Sequence, residues 1–290
     1  MTTTLKALHQ NAIEALRQHS ESARLDAELL IAHVLNIPRT RFITEPDQTI
    51  EPVQLEKIEH LITRRQTGYP VAYLVGKKYF WDLELIVTED TLIPRPETEL
   101  LVETALNLFA TTQNLNVADL GTGSGAIAIA LAKACPHWHI IATDIHAATL
   151  EVAQQNVDAY EQLNIQLLQS HWFEKIDHNT KFDLIVSNPP YIAQGDPHLK
   201  RGAVQFEPQR ALSSGQDGLD DIRHIIKYAS PYLNQHGWLM LEHGYDQAEQ
   251  VKMIFESAGY QNIHQRFDLA DHIRITYAQP PVSNEGYPHE

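Results

Sequence analysis

Asn188-Pro189-Pro190-Tyr191 is the stretch of this chain whose residue types point most directly to chemistry. It follows the apolar run Phe182–Ser187, which reads as a buried strand. Two consecutive prolines carry no N–H, so the ladder of hydrogen bonds stops there. What remains is a rigid turn that presents an amide side chain, bare carbonyls and an aromatic ring. Those groups can hold a planar NH2 by accepting its protons.

A second constellation lies upstream. Val117-Ala-Asp-Leu-Gly121-Thr122-Gly123-Ser124-Gly125-Ala-Ile reads as strand, glycine loop and helix. The glycines permit a tight turn and let a ligand approach the backbone closely. Their spacing is Gly-x-Gly-x-Gly, not the Gly-x-Gly-x-x-Gly of dinucleotide folds. Asp144 ends the next expected strand, where a carboxylate can accept both hydroxyls of a ribose.

The elements that must position these groups show as changes of period. Leu5, Leu8, Ala12, Ala15 and Leu16 share one helical face. Leu25, Leu29, Ala32 and Leu35 mark a second helix that stops before Pro38. A third starts near Pro52, carries Leu55, Ile58, Leu61 and Ile62, and closes with Arg64-Arg65 and Gly68. Residues 1–70 are therefore expected to form a small helical bundle, a domain for substrate recognition. Residues 71–90 are expected to be a hairpin linker, with Val71–Val75 and Tyr79–Thr88 as strands around Gly76-Lys77-Lys78.

From residue 91 to 278 strands and helices alternate, which implies a mainly parallel sheet with helices on both faces. Strands are expected at 116–120, 139–143, 165–168, 182–187 and 238–242, and helices at 100–109, 126–134, 147–160, 219–229 and 246–258. Two closing strands, 263–266 and 273–277, have no helix between them and should pair antiparallel. A loop of about 25 residues follows the clamp, and loops of that length are usually functional or disordered. Residues 279–290 are expected to be a flexible tail.

Composition narrows the function classes. The formal net charge of −15 argues against a broad phosphate-binding face. It suits a basic protein partner better than naked nucleic acid. Arg64-Arg65 and Lys77-Lys78 are the local basic clusters, more readily explained as solvated helix and hairpin ends than as RNA contacts. A single cysteine, Cys135, excludes an internal disulfide and fits a reducing compartment. The opening Met1-Thr-Thr-Thr-Leu-Lys is not expected to be a signal peptide, and no apolar run approaches a membrane span. A cytoplasmic protein with no membrane association is expected. The 16 histidines lack metal-ligand spacing, and no metal is expected.

The glycine loop and Asp144 resemble the cofactor half of class I S-adenosyl-L-methionine methyltransferases. That resemblance implies a Rossmann-like, seven-stranded α/β methyltransferase sheet with an antiparallel last strand. It implies that Gly121–Gly125 pack against the methionine part of S-adenosyl-L-methionine and that Asp144 holds its ribose. Trp172, in Ser170-His171-Trp172-Phe173, would wall the adenine, and His171 stands where related sequences usually carry aspartate. Asn188-Pro189-Pro190-Tyr191 is similar to that family's mark for methylation of nitrogen conjugated to a π system. The lone pair of such a nitrogen is delocalised. Acceptors on its two N–H groups, the Asn188 side-chain oxygen and the Pro189 carbonyl, turn the lone pair toward the methyl and favour the positive charge that develops. Tyr191 can stack on the planar group.

The clamp is shared by enzymes acting on adenine N6, guanine N2 and glutamine amides. The whole architecture resembles the protein-(glutamine-N5) methyltransferases that modify peptide-chain release factors. Thr63–Leu74, Leu92–Glu99, Ser187–Ile192, Phe206-Glu207-Pro208 and Leu241-Glu-His-Gly carry that likeness. It implies methylation of the glutamine of the Gly-Gly-Gln motif of class 1 release factors, a protein substrate. With the acidic charge and no zinc pattern, basic helix or aromatic RNA-binding motif, no stable nucleic-acid binding is expected. The alternative is a nucleic-acid exocyclic-amine methyltransferase. Phe206, Glu207 and Pro208 are expected to grip substrate, and Arg95 and Glu97 to support the site.

Overall fold

The chain is described from a computed structural model that covers residues 3–110, 112–161 and 164–282. It forms two compact units, Met1–Lys77 with Lys200–Phe206 and Lys78–Leu199 with Glu207–Glu290.

Five helices build the first unit: α1 (Leu5–Leu16), α2 (Ala23–Leu35), α3 (Arg41–Thr44), α4 (Pro52–Gln66) and α5 (Val71–Val75). Thr4 caps α1, and Pro52 opens α4 beside a Glu51–Gln54 capping box. Leu5, Leu8, Leu16, Leu30, Ile31, Ile58 and Ile62 meet in one apolar core. The expected stripe on α2 is displaced: Leu25 is exposed, and the buried face is Asp26, Ala27, Glu28, Leu30 and Ile31. Two acids can lie there because arginines from other elements meet them. Arg65 donates to Asp26 at 2.7 Å, and Arg39 donates to Glu28 at 2.6 and 2.9 Å. Arg65 is thus a structural residue, and Arg64 lies over the Tyr69 ring at 4.0 Å. Residues 71–75 are a helix, not the expected strand. Pro70 sits at its N-cap and Gly76, at φ +71°, ends it. The segment Lys200–Phe206 belongs to this unit through Phe206, which packs edge-on against Tyr69.

In the second unit β1 (Lys77–Phe80) and β2 (Leu83–Ile86) make a hairpin that turns at Trp81-Asp82. It docks on α8 (Ala147–Ala159) and the residue after it: Asn156 accepts from the Ile86 N–H and the Tyr160 hydroxyl accepts from the Glu84 N–H. The sheet contains β3 (Asn116–Leu120), β4 (His139–Asp144), β5 (Ile165–Gln169), β6 (Phe182–Ser187), β7 (Leu233–Glu242), β8 (Gln261–Phe267) and β9 (Ile273–Gln279), in the order β5-β4-β3-β6-β7-β9-β8. Strands β3 to β7 are parallel; β9 runs antiparallel between β7 and β8. Since β9 extends to Gln279, the expected tail begins later than its first residue, and residues 283–290 lie outside the described ones.

Alternation along the strands feeds two cores. Val117, Leu184, Val186 and Met240 face α6 (Glu99–Leu108), α7 (Ala126–Ala134) and α8. Ala118, Leu120, Ile185, Leu239 and Leu241 face α9 (Asp220–Ala229) and α10 (Ala248–Ser257). Both faces are covered, which is why these strands read as continuous apolar runs. The long loop between β6 and α9, residues 188–219, carries three short 3-10 turns. Among the described residues no helix is long and apolar enough to cross a membrane.

Candidate active site

The chain leaves β3 in one direction to β4 and β5, then returns to β6 and β7 on the other side. Ligands in such sheets bind beyond the carboxyl ends of the strands where the order reverses. Register brings the sequence-predicted groups to that edge. Leu120 pairs with Thr143 on one side and Ser187 on the other, so Gly121, Asp144 and Asn188 emerge side by side. Asp144 pairs with Gln169, which puts Ser170–Trp172 next in the row. The edge is stitched by Thr122 N–H to the Thr143 carbonyl (2.8 Å) and the Ser187 hydroxyl to the Leu120 carbonyl (2.6 Å).

Gly121, Gly123 and Gly125 all take positive φ, at +72°, +58° and +85°. A Cβ on Gly121 would lie 3.3 Å from the Trp172 ring, whereas one on Gly123 would meet nothing within 4 Å. Gly123 therefore faces open space. Its N–H donates to Asp144 Oδ2 (3.3 Å), and the His146 N–H donates to Oδ1 (3.0 Å). Burial raises the Asp144 pKa, and these two N–H groups, with His146 and Arg210, oppose that. One oxygen of Asp119, beneath the loop, accepts from the Thr122 hydroxyl at 2.6 Å, and the other has no hydrogen-bond partner.

Burial pushes the Asp119 carboxyl up to about 7 from an ordinary 3.8. The folded state therefore holds a proton that the unfolded chain gives up. That contribution is complete below the ordinary value and is lost as pH rises through about 7. Asp119→Asn cannot ionise. Urea unfolding should show its stability relative to the wild type rising between pH 5 and pH 8, by about 1–4 kcal/mol.

A cavity of about 260 Å³, the size of a small-molecule site rather than of a bound water, opens on this edge. Gly121, Gly123, Asp144, Trp172, Asn188 and Pro190 line it, so the glycine loop, the acid, the indole and the clamp share one space. Trp172 is held at φ +49°, with its indole N–H buried and unpartnered. These features fit a nucleoside carrying an extended polar tail. The sequence reading missed Ile145, Thr149, Arg210 and Asp221, which also line the cavity. Ile145 had a signal: it is an apolar residue directly after the acid and is half exposed. Asp90 also lines the cavity, and Arg210 donates to its carbonyl at 3.3 Å.

At the clamp, the Asn188 side-chain N–H donates to the Thr98 hydroxyl at 2.9 Å. That bond fixes the amide and leaves its oxygen as the acceptor. The Tyr191 hydroxyl donates to Glu242 at 3.2 Å, and the Tyr191 carbonyl accepts from Gln247 at 2.9 Å. Glu242 reaches the clamp because Ser187 pairs with Leu241, one residue before it. Gly218, at φ +80°, packs so closely that a Cβ would lie 2.3 Å from the Tyr191 carbonyl oxygen. Gly218→Ala should therefore cost about 2–4 kcal/mol, read as a lowered Tm.

Comparison with known proteins now decides the family. Residues 7–76 match the model of the PrmC N-terminal domain, and residues 96–207 that of the methyltransferase small domain. The release factor glutamine methyltransferase of Vibrio cholerae is 45% identical over 98% of this chain and 100% of its own. That of Pseudomonas aeruginosa is 46% identical over 90% of this chain and 94% of its own. This chain belongs to the release factor glutamine methyltransferase family. A solved methyltransferase from Pyrococcus furiosus shares the fold, with TM-score 0.54 at 17% identity over 76% of this chain and 100% of that one.

Not every residue that the sequence singles out lines the cavity. Phe206 packs on Tyr69, while Glu207 is buried and accepts from Arg95 and from the Ile93 N–H (3.1 Å). Pro208 is buried as well. Glu207 therefore ties the long loop to the Ile93–Glu99 segment, and Arg95 serves as its partner. His171 sits at the cavity rim, where it pairs with Glu174 at 3.1 Å. His243 is buried between the Gly244 carbonyl and the Thr276 hydroxyl, with its pKa lowered by burial.

Proposed function

We propose that this chain transfers a methyl group from S-adenosyl-L-methionine to the side-chain amide nitrogen of the glutamine in the Gly-Gly-Gln motif of class 1 release factors. The observation that carries the reading is the Asn188 amide, fixed through Thr98 with its oxygen left to accept, on the same sheet edge as the glycine loop. Family membership supplies the substrate class.

When bound, the cofactor supplies an electrophilic methyl on a cationic sulfur. Gly121–Gly125 would hold its methionine part, Asp144 the ribose and Trp172 the adenine. Asn188 Oδ1 and the Pro189 carbonyl accept the two N–H groups of the glutamine amide, and Tyr191 stacks on its plane. The nitrogen lone pair then points along the line of displacement. As the N–C bond forms and the S–C bond breaks, positive charge moves from sulfur to nitrogen, where the same two acceptors stabilise it. The amide afterwards releases one proton to solvent. The acidic chain, with net charge −15, suits a basic protein substrate in the cytoplasm and needs no stable nucleic-acid complex.

The test is incubation of purified release factor with methyl-labelled S-adenosyl-L-methionine, then peptide mapping. Label on the Gly-Gly-Gln glutamine is the expected result. Label on DNA or RNA with none on the release factor would overturn the reading.

A further inference from the structure

Behind the clamp lies a buried acid that the mechanism above does not use. Glu242 is 1% exposed and ends β7, level with Asn188 across the β6–β7 pair. Thr98, 4% exposed, stands between the two. Its hydroxyl accepts from the Asn188 amide at 2.9 Å, so its single proton must go elsewhere. Glu242 stands beside that hydroxyl: its Oε1 accepts from the Tyr191 hydroxyl at 3.2 Å, and its Oε2 is buried with no hydrogen-bond partner. Tyr191 is therefore moored to this carboxyl, and Asn188 to the hydroxyl beside it.

Resting on the clamp reading above, we propose that Thr98 and Glu242 are positioning residues for methyl transfer. With the Thr98 proton turned to the open oxygen of Glu242, they form a hydrogen-bonded chain that orients the Asn188 amide and carries the field of a buried carboxylate to the accepting nitrogen. The observed bonds, Asn188 to Thr98 and Tyr191 to Glu242, run in the direction this chain needs. Substrate N–H donates to Asn188, Asn188 to Thr98, and Thr98 to Glu242. Each link polarises the next, so a negative Glu242 makes Asn188 Oδ1 a stronger acceptor as positive charge develops on nitrogen. The Tyr191 donor on one oxygen and the Thr98 hydroxyl beside the carboxyl suit its ionised form. Arg274 on β9 favours that form too, while burial and the neighbouring Glu97 oppose it. The balance pushes the Glu242 carboxyl up to about 7.

This gives the chain a signature that packing alone would lack. The active form is the carboxylate, so kcat at saturating cofactor and release factor should rise with pH, with a midpoint near pH 7, by about tenfold across the rise. Glu242→Gln keeps the shape and loses the charge. Its kcat should be lower at pH 8 by about tenfold and show no such rise. Asp119 titrates in the same range, so Asp119→Asn is the control, and the rise should persist in it. Thr98→Val should lower kcat by about ten- to a hundredfold while cofactor Kd changes less than about threefold. Thr98→Ser restores the hydroxyl and should recover most of that loss.

A Glu242→Gln enzyme that keeps the wild-type rise overturns the proposal. So does a Thr98→Val enzyme that matches Thr98→Ser, and this pair still decides if the Glu242 variant does not fold. The two readings fail separately. A wild-type enzyme that labels no release-factor glutamine removes the functional reading and this one with it. Glutamine labelling with an indifferent Thr98 removes this one alone.

Discussion

Asn188→Ala should lower kcat by about 10²–10³-fold while the Kd for S-adenosyl-L-methionine shifts by less than about threefold. The argument is one of difference between states. In the ground state the glutamine nitrogen is neutral and its N–H protons are weak donors. In the transition state the nitrogen carries positive charge, and a fixed acceptor on its N–H gains strength. Removing Asn188 Oδ1 removes an interaction that matters chiefly there. The amide already stands in place, held by Thr98, so it costs no reorganisation when the methyl moves. Asn188→Asp should fail almost as badly. A carboxylate keeps an acceptor for the substrate but has no N–H for the Thr98 hydroxyl, and it adds a charge near buried Glu242. Single-turnover rates and equilibrium cofactor titration separate the two quantities. A large loss of cofactor affinity in Asn188→Ala, with the rate of the loaded enzyme intact, would contradict the role.

Much of the architecture was legible because punctuation coincided with period. Glycines bound β3 and α7 so tightly that both have the expected limits, and the Pro189-Pro190 pair ends β6 as expected. The failures are equally physical. Val71–Val75 has the β-branched look of a strand, yet Pro70 and Gly76 close it as one short helix. A five-residue apolar run does not by itself tell the two apart. On α2 the expected apolar stripe lost to a face carrying Asp26 and Glu28, because arginines elsewhere in the unit neutralise them. Sequence order contains no statement of those pairings.

The site divides along the same line. Gly121–Gly125, Asp144, Trp172 and Asn188 were readable because each is chemically marked within a local strand-to-loop transition. They meet because four neighbouring strands end level. Thr98 and Glu242 are ordinary residue types, and their meaning comes from a strand register and a bond spanning 90 positions. Glu242 did carry one signal, an acid closing the otherwise apolar Trp238–Leu241 run. The Arg95–Glu207 pair, 112 positions apart, carried none beyond the two motifs themselves.

Asp144→Ala should do the reverse of Asn188→Ala and weaken cofactor Kd by about two orders of magnitude, with kcat at saturation within about threefold. Hydrogen bonds to an ionised group contribute about 1.5–3 kcal/mol each, and a ribose diol offers two. Burial raises the Asp144 pKa, but the Gly123 and His146 N–H groups, with His146 and Arg210, favour its ionised form. Those same N–H groups give the residue a second task. It holds Gly123 at 3.3 Å and the start of α8 at 3.0 Å, so it shapes the loop as well as facing the cavity. Asp144→Asn removes the charge and keeps only part of the second task. One amide oxygen can keep the His146 bond, but the NH2 then faces the Gly123 N–H, two donors with no acceptor between them. Asn should therefore be nearly as weak as Ala in cofactor binding while melting within about 2 °C of the wild type. A conserved Kd in Asp144→Asn would mean that neither the charge nor the loop contact holds the ligand, and the ribose assignment would fall. An intact Kd with a collapsed kcat would place Asp144 at the reacting nitrogen, which its position two strands from Asn188, with β3 between them, argues against.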